Sequence, residues 1–329
     1  MKVSLLLGLR RGPWGGANQF LKALRAGLKN RNALSKGIFD SDIILFNSHH
    51  CIRRVIAARK LLPNTHFVHR IDGPMSLYRQ ANDRRDHWVK LLSDEVADAT
   101  VFQSEWSRSR NLEIGIGRTG LDRTIHNAAD PTYFFRRSQE QFVQVPGSKI
   151  NLIATSWSVN ESKGFFLYQF LDSNLDFKKF SMTFVGRTPI KFRNIRMIPP
   201  VASAELGKIL RSHDIFITAS RQDPCSNSLL EAMACGLPVV ALRDGGHPEL
   251  VRSGGELFRE ADEVIGKINL VCDRLDDYRC RMPEHEMGGV LDSYMAFFAK
   301  IVQSPLLHQK KGTKMSLTKA LSRMVSAPR

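Results

Sequence analysis

Two carboxylates eight positions apart, Asp223 and Glu231, stand in the chemically most suggestive stretch of the chain, "DIFITASRQDPCSNSLLEAMACGLPVVAL" from Asp214 to Leu242. An apolar run ends at Ala219, a polar loop with Pro224 follows, and Ser226 is placed to cap a helix that Gly236 and Pro238 stop before the next apolar run. A strand, helix and strand in this order put the loop at the carboxyl end of a parallel strand, the edge where open α/β sheets bind ligands. The helix start, with Ser226, Asn227 and Ser228, offers unpaired N–H groups and a partial positive charge, which favour a phosphate. Glu231, about one turn into the helix, can accept hydrogen bonds from the vicinal hydroxyls of a ribose, and Asp223 can reach a neighbouring sugar.

These residues need a scaffold, and the rest of the chain supplies its rhythm. Short apolar runs alternate with longer helical patterns, which indicates parallel sheets covered by helices. Candidate strands in the first half are Val3 to Leu9, Ile43 to Asn47, His66 to Arg70, Thr100 to Gln103 and Thr124 to Asn127. Between the first two, "GGANQFLKALRAGL" opens on Gly15 and Gly16 and places Phe20, Leu21, Leu24 and Leu28 on one helical stripe. From Asp130 to Ser148 the pattern dissolves into polar residues with Pro131, Pro146 and Gly147, the composition of a linker. Beyond it Ile150 to Ser156, Ser181 to Val185, Asp214 to Ala219 and Pro238 to Leu242 read as strands. The expected domains are therefore 1–147 and 148–303, with a basic tail over 304–329 that holds no acidic residue. The last helix of the second domain is expected to pack back on the first. In the tail, Leu317, Leu321, Met324 and Val325 would share one face of a helix suited to a membrane surface.

With 43% hydrophobic and 24% charged residues the composition is that of a folded globular chain rather than a disordered or membrane-spanning one. No run approaches the roughly 20 apolar residues of a spanning helix, and Arg10 and Arg11 interrupt the N-terminal apolar run before any cleavage site. The five cysteines, Cys51, Cys225, Cys235, Cys272 and Cys280, are odd in number and form no Cys-x-x-Cys pair, so neither a disulfide framework nor a zinc ribbon is expected, and a cytoplasmic location fits. The net charge of +16 attracts phosphates, anionic headgroups or nucleic acid, and the motifs of nucleic-acid readers are missing. Two metal patterns are weak: His49, His50 and Cys51 are adjacent and do not converge by spacing, and Asp40-Ser41-Asp42 precedes its strand, at the wrong end of the sheet.

The block around Glu231 resembles the signature of the large retaining glycosyltransferase family four, whose members have two Rossmann-like domains facing each other across a cleft, the GT-B arrangement. "EAMACGLPVV" from Glu231 matches its helix closely, and Asp223 stands where the family more often has Glu. "GGANQFLKALRAGL", "FVHRIDG", "ADATVFQSEWSR" and "IHNAADPTYF" follow in the family's order over roughly residues 1 to 300. "SWSVNESKG" resembles the phosphate-binding stretch, with Lys163 and Gly164 in place and Ser158 where Arg is usual; Arg187 in "FVGR" is the candidate to compensate.

The resemblance implies transfer of a sugar, with retention, from a UDP- or GDP-linked donor to a glycan or lipid-linked glycan, as in the synthesis of cell-surface polysaccharide or lipopolysaccharide. It implies His69, Asp223 and Lys163 as catalytic residues. For the donor it implies Glu231, Lys163, Asp223, Ser226, Asn227, Ser228, Gly245, Gly246, Arg187 and Gly16, the glycines through backbone N–H groups free to approach the ligand. No cofactor and no metal are expected, so Lys163 and helix N-termini must neutralise the leaving diphosphate. The expected partners are the nucleotide sugar, the acceptor and an anionic membrane surface on its inner face, without nucleic acid. The alternatives are a catalytically idle GT-B protein that binds glycans or nucleotides, motivated by Ser158, and a nucleotide-sugar epimerase.

Overall fold

The structure is a computed structural model in which residues 1–9, 16–78, 83–136 and 147–304 are described. Gly15 and the expected tail beyond Ser304 lie outside them. The chain divides into two compact units, the first comprising Met1–Gly8, Leu24–Ile125 and the chain from Leu291, the second Leu9–Ala23 and His126–Val290.

The first unit holds a sheet of five parallel strands in chain order: β1 (Val3–Leu6), β2 (Ile43–Asn47), β3 (His66–Ile71), β4 (Ala99–Phe102) and β5 (Asp122–Thr124). Every residue of β2, β3 and β4 is buried, as a parallel sheet covered on both faces requires. Its helices are α1 (Gly16–Asn30, whose first residues group with the second unit), α2 (Ile52–Leu61), α3 (Met75–Tyr78), α4 (Arg84–Glu95) and α5 (Glu105–Glu113). The expected stripe of α1 is buried at Phe20, Leu21, Leu24 and Leu28. Asp83 and Ser104 cap α4 and α5 by accepting from Arg85 N and Ser107 N. The fifth strand ends at Thr124 rather than Asn127, because Asn127 leaves the sheet to bond its backbone N–H to Cys225 Sγ.

The second unit holds β6 (Ile150–Ser156), β7 (Phe180–Gly186), β8 (Arg196–Ile198), β9 (Ile215–Thr218), β10 (Val239–Leu242) and β11 (Gly255–Phe258). All are parallel, in the order β11-β10-β9-β6-β7-β8. The chain moves outward from β6 through β7 and β8, returns to β9 on the other side of β6, and moves outward again. The carboxyl ends of β6 and β9 therefore flank the topological switch point, where a crevice forms between loops that diverge to opposite sides. Helices α6 (Phe165–Asn174), α7 (Ser203–Arg211), α8 (Asn227–Ala234), α9 (His247–Val251), α10 (Glu263–Asp273) and α11 (Leu275–Cys280) cover the sheet. Two cores result, one around Tyr168, Phe184 and Val264, the other around Leu229, Met233 and Val239. In α12 (Met287–Val302), residues from Leu291 group with the first unit, where Asp292 pairs with Arg31, just past the end of α1, at 2.5 Å.

Candidate active site

The loop leaving β6 is built from side chains that bond their own backbone. Ser156 Oγ donates to Ser158 O at 2.8 Å, Ser158 Oγ accepts from Asn160 N at 3.1 Å, and Asn160 Oδ1 accepts from Ser162 N at 2.8 Å. A 3₁₀ turn, Glu161–Lys163, follows and ends on Gly164 at φ 71°. A Cβ at Gly164 would stand 2.3 Å from Ala219 O, so glycine alone lets the start of α6 approach the end of β9 this closely. Arg221 N donates to Ser162 O at 2.7 Å and ties the loop after β9 to the loop after β6. Across that seam, Lys163 Nζ lies 3.2 Å from Asp223 Oδ2, with side chains 20% and 15% exposed, so both charges stay within reach of a ligand.

Asp223 is held from behind. Its carbonyl accepts from Gly246 N at 2.9 Å and its Oδ1 from Cys225 N at 3.3 Å. Gln222, at φ 52°, donates its N–H to Asp244 Oδ2 at 3.2 Å, and Gly245 N donates to Asp244 Oδ1 at 2.6 Å. The N–H groups of Gly245 and Gly246, expected to approach the donor, here donate to Asp244 Oδ1 and Asp223 O. Their contribution is shape, since a Cβ at Gly245, where φ is 60°, would fall 2.4 Å from Asp223 O.

Ser226 occupies the N-cap of α8 but makes no capping bond; its hydroxyl lies 3.2 Å from Ser228 Oγ instead. Capping was the expected role, and its loss leaves the first N–H groups of α8 without the acceptor a capped helix would give them. Asn227 Oδ1 accepts from Asn127 Nδ2 at 3.1 Å. Gly16 groups with this unit and sits so close that a Cβ would be 2.2 Å from Asn227 Cβ. Glu231 is 5% exposed, and burial pushes its carboxyl up to about 8. At neutral pH it carries a proton, and a neutral carboxyl offers one donor and one acceptor, the pair a vicinal diol can match.

Other expected residues lie elsewhere. His69, in β3 of the first unit, is fully buried; its Nε2 donates to Ser48 O at 3.0 Å, its Nδ1 accepts from Ser93 Oγ at 3.2 Å, and its ring stacks on Phe46 at 4.4 Å. Burial drives its pKa down to about 3. Both ring nitrogens are thus bonded within the first unit, and the expected active-site role of His69 would have to be exercised from this buried position. Arg187 follows β7, donates its backbone N–H to Ser156 O at 2.7 Å, and is exposed. His49 and His50 stack at 4.6 Å, and among the described residues no three His, Cys, Asp or Glu side chains converge.

Sequence reasoning missed two residues at this edge. Asp244 fixes the loops after β9 and β10 together, a role no spacing announces. His247, at the start of α9, is fully buried; Nδ1 donates to Leu242 O at 2.8 Å, while Nε2 has no partner among the described residues. Burial holds its pKa low, so Nε2 is a fixed acceptor behind Asp223. Its place in "GGHPE" between glycines and a helix start was the available signal.

Known proteins resemble this chain in part of its sequence and in its fold. Residues 166–273, from α6 to α10, match the family model described as "Glycosyl transferases group 1". The D-inositol 3-phosphate glycosyltransferase of Corynebacterium jeikeium is 35% identical over 124 residues, 36% of this chain and 27% of that relative, so the match spans about a quarter of its length. Among solved structures, Anabaena HepE in complex with UDP-glucose superposes with a TM-score of 0.64 at 15% identity, covering 98% of this chain and 100% of that one. The lipopolysaccharide outer core galactosyltransferase WaaB, in its apo form, gives 0.64 at 11% identity, covering 91% and 99%. Residues 166–273 of the second unit thus resemble a glycosyl transferases group 1 domain, and the chain as a whole has the α/β fold of GT-B glycosyltransferases, with two parallel sheets.

Proposed function

We propose that the chain is a glycosyltransferase whose nucleotide-sugar donor binds at the switch point of the second sheet. The observation that carries this reading is the Lys163–Asp223 pair at 3.2 Å, which bridges the loops after β6 and β9 in front of the uncapped start of α8. In this arrangement the diphosphate takes Lys163 from Asp223 and receives N–H groups from α8, while Asp223, released, accepts from hydroxyls of the transferred sugar. Glu231 grips the ribose diol. Arg187 stands in for the Arg that Ser158 replaces. As the glycosidic bond to the diphosphate breaks, negative charge grows on the leaving group, and Lys163 and the helix dipole stabilise it without reorganising.

The resemblance adds retention of configuration, metal independence and a glycan or lipid-linked acceptor in cell-surface polysaccharide or lipopolysaccharide synthesis. The structures of Anabaena HepE with UDP-glucose make UDP-sugars the first donors to test, ahead of GDP-sugars. Among the described residues no helix is long and apolar enough to cross a membrane, and we assign contact with anionic lipid to the basic segment 304–329. Deleting it should reduce partitioning onto anionic vesicles; unchanged partitioning discards the assignment.

A thermal-shift panel of UDP- and GDP-linked sugars tests the reading, because a ligand of the native state raises its melting temperature. Stabilisation by one nucleotide class is expected, and none by any of them contradicts the proposal. Binding without slow donor hydrolysis in water would instead favour the idle form that Ser158 suggests.

A further inference from the structure

The second sheet has another edge, away from the loops of Lys163 and Asp223. There β6, β7 and β8, with Ser212 and His213 ahead of β9, border a cavity of about 540 Å³, within the size range of small-molecule sites. Its lining divides by chemistry. Phe177, Met182 and Ile209 form an apolar wall, and Lys149 and Arg196 bring two cations. Both cations are exposed, neither has an ion-pair or hydrogen-bond partner among the described residues, and no carboxylate lines the cavity.

The walls are fixed before any ligand arrives. Buried Asp172 accepts the backbone N–H groups of Arg193, Asn194 and Ile195, each at 2.8 Å, which pins the segment that leads into Arg196. Ser181 Oγ donates to Asn151 Oδ1 at 2.6 Å and joins the amino ends of β7 and β6. His213 spends both ring nitrogens inside the protein, Nδ1 donating to Ile209 O at 2.7 Å and Nε2 accepting from Thr183 Oγ1 at 2.9 Å. The charge left to answer is therefore positive, and the surface behind it is apolar.

We infer that this cavity binds a small amphipathic anion, a phosphate or sulfonate group carried on an aromatic or apolar body, at a site separate from that of the nucleotide sugar. The anion pairs with Lys149 and Arg196, and its body covers the apolar wall. Because the rim is open to water, the attraction weakens with salt. The inference is independent of the proposed transferase activity.

Titration of the full chain with 1-anilinonaphthalene-8-sulfonate, an anionic aromatic probe whose fluorescence rises on burial, tests it. The double variant Lys149→Ala with Arg196→Ala changes exposed side chains only and should melt like the wild type while binding the probe about tenfold more weakly. 4-Nitrophenyl phosphate should displace the probe, whereas neutral 4-nitrobenzyl alcohol and UDP should not. Equal probe affinity in the double variant, equal displacement by the alcohol, or displacement by UDP would each overturn the inference.

Discussion

Lys163 and Glu231 make opposite demands on the same ligand. Lys163 acts on charge that grows as the bond to the sugar breaks, so Lys163→Ala should lower turnover roughly 150-fold, the cost of about 3 kcal/mol of lost transition-state stabilisation, with little change in KM. Steady-state kinetics that leave kcat intact would remove Lys163 from the chemistry. Glu231 acts on a ribose that does not react. Its two neutral hydrogen bonds are worth about 1 kcal/mol each, so Glu231→Ala should weaken nucleotide binding roughly 30-fold, and Glu231→Gln, which keeps one donor and one acceptor, should retain most of it. The same residue gives a pH signature. Its carboxyl is raised from 4.5 to about 8 in the folded chain, so the folded state holds a proton that the unfolded state releases between those values. The stability Glu231 contributes is complete below pH 4.5 and is lost as the pH rises toward 8. Melting curves should show Glu231→Gln more stable than the wild type at pH 8, with the difference closing toward pH 5; a constant difference would mean the carboxyl is not protonated in the fold.

At the scale of elements, the site depends on how closely two strand ends approach. Gly164→Ala places a methyl group 2.3 Å from Ala219 O at a positive φ, which should cost about 1–3 kcal/mol of stability and separate Lys163 from Asp223. A lower melting temperature together with lost turnover is the expected result, and an unaltered melting curve would show that the seam is loose. The elements that build this seam were legible in the sequence because the apolar runs Ile150–Ser156 and Ile215–Thr218 are buried along most of their length, and the loop acid, helix start and following strand around Glu231 agree with one another. Strands β8 and β11 were not, since Arg196–Ile198 is three largely exposed residues and Gly255–Phe258 opens on Gly and Glu. His69 shows the same limit at one residue: nothing in its apolar strand announces that the ring stacks on Phe46 and bonds Ser48 and Ser93. The engagement of Gly245 and Gly246 with Asp244 and Asp223 is set by tertiary contacts that no local pattern encodes.

For the whole molecule, each unit has its own core, so a donor confined to the second should raise that unit's unfolding transition selectively in scanning calorimetry, by about 2.7 kcal/mol at a hundredfold excess over Kd. Chelation offers a complementary check. With charge neutralisation assigned to Lys163 and the start of α8, turnover measured in excess EDTA should equal that in buffer, and recovery on adding a divalent cation would transfer the role to a metal. The most direct measurement is isothermal titration of UDP into the wild-type chain and into Glu231→Ala. One saturable site, weakened roughly 30-fold by the substitution, is expected. Identical affinity in the two proteins, or no heat of binding with UDP or GDP, would contradict a nucleotide held at the carboxyl ends of β6 and β9.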